Sequence, residues 1–166
     1  MVLFRKRVVG LTEPVLARFV TRAGHAAGLR GAVSLLVTGN REMQRLNREF
    51  RSKDKPTDVL SFPAGPAAER GFAGDVAVSA EIAAQNARLL GHSTAQEVKI
   101  LVLHGVLHLA GYDHETDRGQ MVRKEERLRE RLGLPHGLIA RSSRPARKSV
   151  VTKGAKRTRM PRKAAR

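Results

Sequence analysis

The chain has 166 residues, of which 41% are apolar, enough to bury the core of one globular domain. It contains no cysteine, which excludes a disulfide framework and a thiolate metal site, so a metal would need histidine nitrogen or carboxylate oxygen. The formal net charge is +17, and this charge is unevenly distributed.

The start of the chain predicts neither a signal peptide nor a membrane span. The bases Arg5, Lys6 and Arg7 resemble the charged region of a signal peptide, but no apolar run follows them. Together with the absence of cysteine, this favours a reducing, cytoplasmic location.

Apolar periodicity, glycines and prolines divide the chain into short predicted helices and strands. Strands and helices mix without a regular alternation, which favours an α+β fold: a single domain with a small mixed sheet packed with about five helices. In chain order the predicted elements are a helix from Thr12 that stops at Gly28, a strand at Ala32–Val37, a short helix capped by Asn40, a strand at Thr57–Phe62, a strand at Asp75–Val78, a helix from Ser79 to Leu90, a buried helix through Val98–Leu109 and a helix at Thr116–Leu132.

Residues 141–166 form a basic tail with 11 Lys and Arg and no acidic residue. Residues 1–140 hold the other 21 basic residues and all 15 acidic ones, which leaves them a net charge of +6. Such a tail cannot bury enough apolar surface to fold, so we expect disorder for 141–166 and one domain for 1–140. Clustered Lys and Arg release counterions from phosphate backbones, which favours a nucleic-acid arm over the alternative of a solubilising tail.

Three of the six histidines lie close together in the sequence, at His104, His108 and His114. His104 and His108 are four residues apart on the predicted buried helix and therefore share one face. The break at Gly111 can turn the chain back, so that His114 adds a third imidazole. Three nitrogens leave one position open, and an open zinc site lowers the pKa of bound water to about 7. The spacing therefore predicts one zinc ion and a hydrolase, with a structural site closed by Asp113 as the alternative.

The histidine spacing also matches the metzincin peptidases, apart from one position. Those peptidases place a catalytic glutamate directly after the first histidine, where this chain has Gly105. A peptidase would therefore lack its general base, and this function remains only an alternative. Met121 is similar to a methionine downstream in that class, or is a core residue of the last helix.

The segment from His104 to His114, HGVLHLAGYDH, resembles the bacterial YbeY family of endoribonucleases. A second block resembles the other signature of the family, and the pair Gly74-Asp75 fits its strand opening. The resemblance covers about Val33 to Glu126 and leaves the basic tail outside. The residues of the second block are Asn47, Phe50, Arg51 and Lys55–Pro63.

The resemblance implies a metal-dependent hydrolase of single-stranded RNA. Its expected task is ribosomal RNA processing, especially 3′ end maturation of the small-subunit RNA, together with ribosome quality control. Its expected partners are single-stranded RNA and the small ribosomal subunit or its assembly factors. The resemblance also implies one zinc ion on His104, His108 and His114. A ribosome-assembly binding factor with a structural zinc is the alternative.

The resemblance further implies a functional role for Arg51. A guanidinium beside the metal could grip the scissile phosphate through two hydrogen bonds and stabilise developing charge. Asp58 has two interpretations: it orients a ligand histidine as a hydrogen-bond acceptor, or it braces the start of its strand. No residue is assigned as the general base.

Overall fold

The computed structural model describes residues 1–65, 71–114 and 116–135. Within these residues, four strands and five helices confirm the expected α+β fold with a mixed sheet. No helix of this part of the chain is long and apolar enough to cross a membrane. The basic tail predicted at 141–166 lies outside the described residues. The elements are β1 (Val2–Phe4), α1 (Glu13–Ala27), β2 (Ala32–Thr38), α2 (Asn40–Arg51), β3 (Val59–Pro63), β4 (Phe72–Ser79), α3 (Ala80–Leu90), α4 (Thr94–Leu109) and α5 (Gln120–Leu132).

The strands follow the order β1-β2-β4-β3, so β3 is an edge strand. β1, β2 and β4 run parallel, and β3 pairs antiparallel with β4. β1 is absent from the sequence-based prediction because three residues are too few to show a pattern, and its pairing with β2 is what makes it a strand.

Helices cover both faces of this sheet, and side chains alternate between them along each strand. Val76 of β4 belongs to the main core, which it shares with α1 and α4. Ala77 belongs to a smaller cluster with Met43 of α2 and Leu60 of β3. The edge strand β3 therefore lies between α2 on one face and α4 on the other.

The start of α4 is fixed by the capping box that the sequence predicts. Ser93 Oγ accepts a hydrogen bond from the backbone N–H of Gln96 at 3.2 Å, and Gln96 Oε1 accepts one from the N–H of Ser93 at 3.0 Å. These two bonds satisfy backbone donors at the first turn. They set where the helix begins, and hence which of its faces carries each later residue.

The last helix begins later than the predicted Thr116. The carboxylate of Asp117 accepts hydrogen bonds from the backbone N–H groups of Gly119, Gln120 and Met121, at 2.7, 2.9 and 2.7 Å. Those groups are the unpaired donors of a helix N-terminus, so α5 starts at Gln120 and the residues before it form a turn.

Candidate metal centre

The structure brings His104, His108 and His114 together at the C-terminal end of α4. The centroids of the three rings form a nearly equilateral triangle with sides of 4.8, 5.2 and 5.3 Å. One ring nitrogen from each histidine lies within 4.8 Å of the other two. Among the described residues, this cluster comprises the three histidines alone, and the carboxylate of Asp113 is not part of it.

The turn after α4 returns the chain towards the helix. Gly111 has a φ of 88°, a left-handed conformation that glycine adopts without strain. The backbone N–H of Gly111 donates to the carbonyl of His108 at 3.0 Å, and that of Tyr112 donates to Leu107 at 3.0 Å. The helix end is thereby closed, and His114 reaches the face that carries the other two imidazoles.

The spacing of one nitrogen pair matches that of two ligands on a tetrahedral ion, while the whole set of three lies within 4.8 Å. The Nε2 atoms of His104 and His108 are 3.2 Å apart. Two nitrogens at zinc–nitrogen distances of about 2.0–2.1 Å in a tetrahedron are separated by about 3.3 Å. In addition, Nδ1 of His114 is buried and has no hydrogen-bond partner within the described part of the chain. A buried nitrogen of this kind is costly unless something binds it, so the donor set fits a bound cation.

The surroundings of His108 favour its neutral form. Burial is the largest cause that lowers the pKa of its imidazole, followed by the charges of His104 and His114. The backbone of Tyr112 and the carboxylate of Asp113 act in the opposite direction and are outweighed. A neutral imidazole keeps the lone pair that a metal requires.

A buried acid that was not predicted from the sequence orients His104. Nδ1 of His104 lies 2.9 Å from Oε2 of Glu125 on α5. The Nδ1–H group donates this bond, which leaves Nε2, the nitrogen that faces His108, with the lone pair. A carboxylate in this place fixes the ring orientation and strengthens the imidazole as a ligand. Glu125 therefore has the role that the sequence analysis considered for Asp58.

Arg129, one turn further along α5, balances the charge of Glu125. Its Nε atom donates to Oε1 of Glu125 at 2.9 Å, and its Nη2 group donates to the same oxygen. Both side chains are 1% exposed. Burial alone raises the pKa of Glu125, but the hydrogen bond and charge of His104, with the Arg129 guanidinium, hold it below its ordinary value.

Gly105, the residue after the first histidine, faces the sheet and not the metal centre. A β-carbon on Gly105 would lie 2.8 Å from Cγ1 of Val76 and 3.0 Å from Oγ of Ser61. Ser61 also donates a hydrogen bond to the carbonyl oxygen of Gly105 at 3.1 Å. Metzincin peptidases have a glutamate at this position. Here α4 packs so closely against β3 and β4 that a side chain at position 105 would have no space.

The other candidate residues have the following places. Arg51 is the last residue of α2, and its exposed side chain forms no hydrogen bond or ion pair with any described residue. The carboxylate of Asp58 accepts hydrogen bonds from Val59 and Thr57, at 2.9 and 3.2 Å, so it braces the start of β3. Met121 is buried in the main core, which agrees with its interpretation as a core residue of the last helix.

Comparison with known proteins agrees with this arrangement. The family model described as "Endoribonuclease YbeY" matches residues 4–133. A protein of that name from Koribacter versatilis is 52% identical over 153 residues, 92% of this chain and 99% of the relative. One from Solibacter usitatus is 48% identical over 84% of this chain and 92% of the relative. A solution structure from Thermotoga maritima, 29% identical, superposes with a TM-score of 0.54 over 80% of this chain and 90% of that one. The chain therefore belongs to the YbeY family of endoribonucleases.

Proposed function

We propose that this chain is a zinc-dependent endoribonuclease that cleaves single-stranded RNA in the cytoplasm. Its task is ribosomal RNA processing, with 3′ end maturation of the small-subunit RNA and ribosome quality control. The observation that carries the proposal is the convergence of His104, His108 and His114, two of whose Nε2 atoms lie 3.2 Å apart. The relatives named as endoribonucleases support the choice of RNA as the substrate.

Each residue of the centre has a defined task in this proposal. His104, His108 and His114 would hold the ion through neutral nitrogens. When bound there, zinc supplies a Lewis acid and a water activated for attack at neutral pH. Glu125 keeps the ring of His104 in place through its bond to Nδ1, and Arg129 neutralises Glu125. One carboxylate oxygen of Glu125 thus faces Arg129, and the other remains for the hydrogen bond to His104.

Arg51 grips the phosphate in this proposal. Its guanidinium is exposed and unpaired among the described residues, so binding an anion there breaks no existing ion pair. A planar guanidinium donates two parallel hydrogen bonds to two phosphate oxygens, which lysine cannot do. Charge that develops on those oxygens during cleavage is stabilised by the same bonds.

Residues 141–166 serve as an electrostatic arm on RNA, a proposal that comes from their composition alone. Each Lys or Arg that neutralises a phosphate steepens the fall of affinity with salt. Deletion of this segment should therefore flatten the slope of log affinity against log salt, measured by anisotropy with a labelled single-stranded RNA. An unchanged slope would show that the tail does not contact RNA.

Single-turnover cleavage of a defined single-stranded RNA, and of the same sequence in a duplex, tests the proposed function. Wild type should cleave only the single strand, lose this activity with a chelator and regain it with zinc. His108→Ala and His114→Ala should abolish cleavage, and Arg51→Ala should lower its rate about 100- to 1000-fold. Arg41→Ala, an exposed arginine near the start of α2, is the matched control and should cleave normally.

Circular dichroism of each variant separates the competing functions. Equal cleavage by well-folded histidine variants and wild type would contradict the proposal. A different pattern would favour a ribosome-assembly factor with a structural zinc: the histidine variants unfold with loss of metal, and Arg51→Ala behaves as wild type. Cleavage of peptides and not of RNA would favour the peptidase.

A further inference from the structure

Phe50, in the last turn of α2, presents most of its ring to water. The residue is 59% exposed. Its ring meets that of Phe62 on β3 in an edge-to-face contact, with centroids 5.0 Å apart and planes at 63°. Phe62 in turn packs against the small core cluster of Met43, Leu60 and Ala77. The exposed ring is therefore held in place from one side and open on the other.

Basic residues follow the exposed ring in the sequence. Arg51, Lys53 and Lys55 come within five residues after Phe50, and within the described part of the chain none of them forms an ion pair. The acid among them, Asp54, is already engaged by Gln44 at 3.0 Å and lies 3.6 Å from Arg48. The surface around Phe50 therefore carries positive charge that has no partner within the described residues.

The turn that carries these basic residues is held to α2 by hydrogen bonds. Asn47, which is 2% exposed, donates from Nδ2 to the carbonyl of Lys55 at 2.8 Å. The backbone N–H of Lys53 donates to the carbonyl of Asn47 at 3.2 Å, and Ser52 between them has a left-handed φ of 55°. The backbone that carries the basic side chains is thus held in one arrangement before any partner binds, which lowers the entropy cost of binding.

The same edge strand links the aromatic pair to the metal-binding helix. Ser61, the residue before Phe62, donates its hydroxyl to the carbonyl of Gly105 on α4. A β-carbon on Gly74 would touch both the carbonyl oxygen of Phe62 and the side chain of Leu109, the neighbour of His108. The helix that carries the candidate metal ligands and the aromatic pair therefore contact the same edge strand, α4 from one face and Phe50 from the other.

We propose that Phe50 is a stacking platform for an unpaired base of the RNA, with Arg51, Lys53 and Lys55 binding the adjacent phosphates. The aromatic face and the positive charge together match a single-stranded nucleic acid, which stacks its bases on exposed rings and tracks its backbone along basic grooves. The inference rests on the proposed function and gives a physical reason why single-stranded RNA would be bound in preference to a duplex. A base inside a duplex has both faces covered by its neighbours, so it cannot be offered to the ring.

Binding of a labelled single-stranded RNA to chelator-treated protein, followed by anisotropy at fixed salt, tests this inference. Phe50→Ala should weaken binding about 5- to 150-fold, the range expected for loss of one base–aromatic stack. Phe50→Trp should bind at least as well as wild type. The control is Leu89→Ala, since Leu89 on α3 is also an exposed apolar residue, at 84%. This control should change nothing.

A strand with abasic sites makes the test specific for stacking. Phe50→Ala and wild type should bind the abasic strand equally, and both should show the same salt dependence, because phenylalanine carries no charge. An equal loss of affinity for normal and abasic strands would overturn the inference. Wild-type affinity of Phe50→Ala for the normal strand would also overturn it. The same holds if Phe50→Ala differs from wild type only in self-association.

The outcome separates this inference from the proposed function, because binding is measured without metal and without cleavage. A wild type that neither binds nor cleaves single-stranded RNA refutes the proposed function itself. A wild type that binds and cleaves, together with a Phe50→Ala variant of equal affinity, refutes the stacking platform alone.

Discussion

Glutamine in place of Glu125 should weaken zinc binding about 10- to 100-fold while the chain remains folded. Glutamine has nearly the same shape, and its single amide oxygen can accept the hydrogen bond from Nδ1 of His104, 2.9 Å away in the native structure, while its amide NH2 group then faces the donors of Arg129. It lacks the negative charge that makes the imidazole a stronger ligand. The dissociation constant, measured by competition with a chromophoric zinc chelator, reports this difference directly.

The exposed neighbour Glu126 provides a matched control for this experiment. Glu126→Gln removes the same charge from the same helix but not from the hydrogen bond to His104, so its zinc affinity should equal that of wild type. Wild-type affinity in Glu125→Gln would show that the buried acid has only a structural role. A thermal unfolding curve for each metal-free variant shows whether the fold is retained.

The same variant should change the acid stability of the metal-free protein. The pKa of Glu125 is lowered in the folded state, so its carboxylate stabilises the fold above the ordinary pKa of a glutamate. That stabilisation is lost as the pH falls through the lower folded value. Glu125→Gln should therefore show a shallower loss of stability on the acid side, measured by denaturant unfolding at a series of pH values.

The candidate metal ligands can be recognised from the sequence, because helical spacing alone places His104 and His108 on one face. The capping box at Ser93 and the glycine after each of several helices likewise act over a few residues, so local patterns predict them. Spacing cannot show what lies beside the histidines, since this depends on how α5 packs against α4.

Glu125 shows why the rest of the site escaped the sequence analysis. It lies on a helix rich in charge, among acids that face water, and charge on a surface helix is expected. One signal was present: Glu125 is four residues after Met121 and three before Leu128, which places it on the apolar stripe of α5. An acid on such a stripe needs a partner, and here His104 and Arg129 provide it.

Alanine in place of Gly105 should destabilise the fold, although alanine is the better helix former by about 1 kcal/mol. The added β-carbon would lie 2.8 Å from Cγ1 of Val76, which is 1% exposed at the centre of the sheet and has little room to move. Overpacking of this kind costs about 1–3 kcal/mol, so the steric loss should exceed the gain in helix propensity. Chemical denaturation of the metal-free protein measures the change in the free energy of unfolding, and hence its sign.

Gly24 on α1 is the matched control, because it is also a buried helical glycine but has no atom within 4 Å of its ideal β-carbon position. Gly24→Ala should therefore stabilise the fold by up to about 1 kcal/mol, the opposite sign. Gly105→Glu, the residue that a metzincin peptidase needs, should prevent folding, because a charged side chain would be forced into the packed contact between α4 and the sheet. A folded Gly105→Glu variant would show that α4 can separate from β4, and the packing argument against a peptidase would then be wrong.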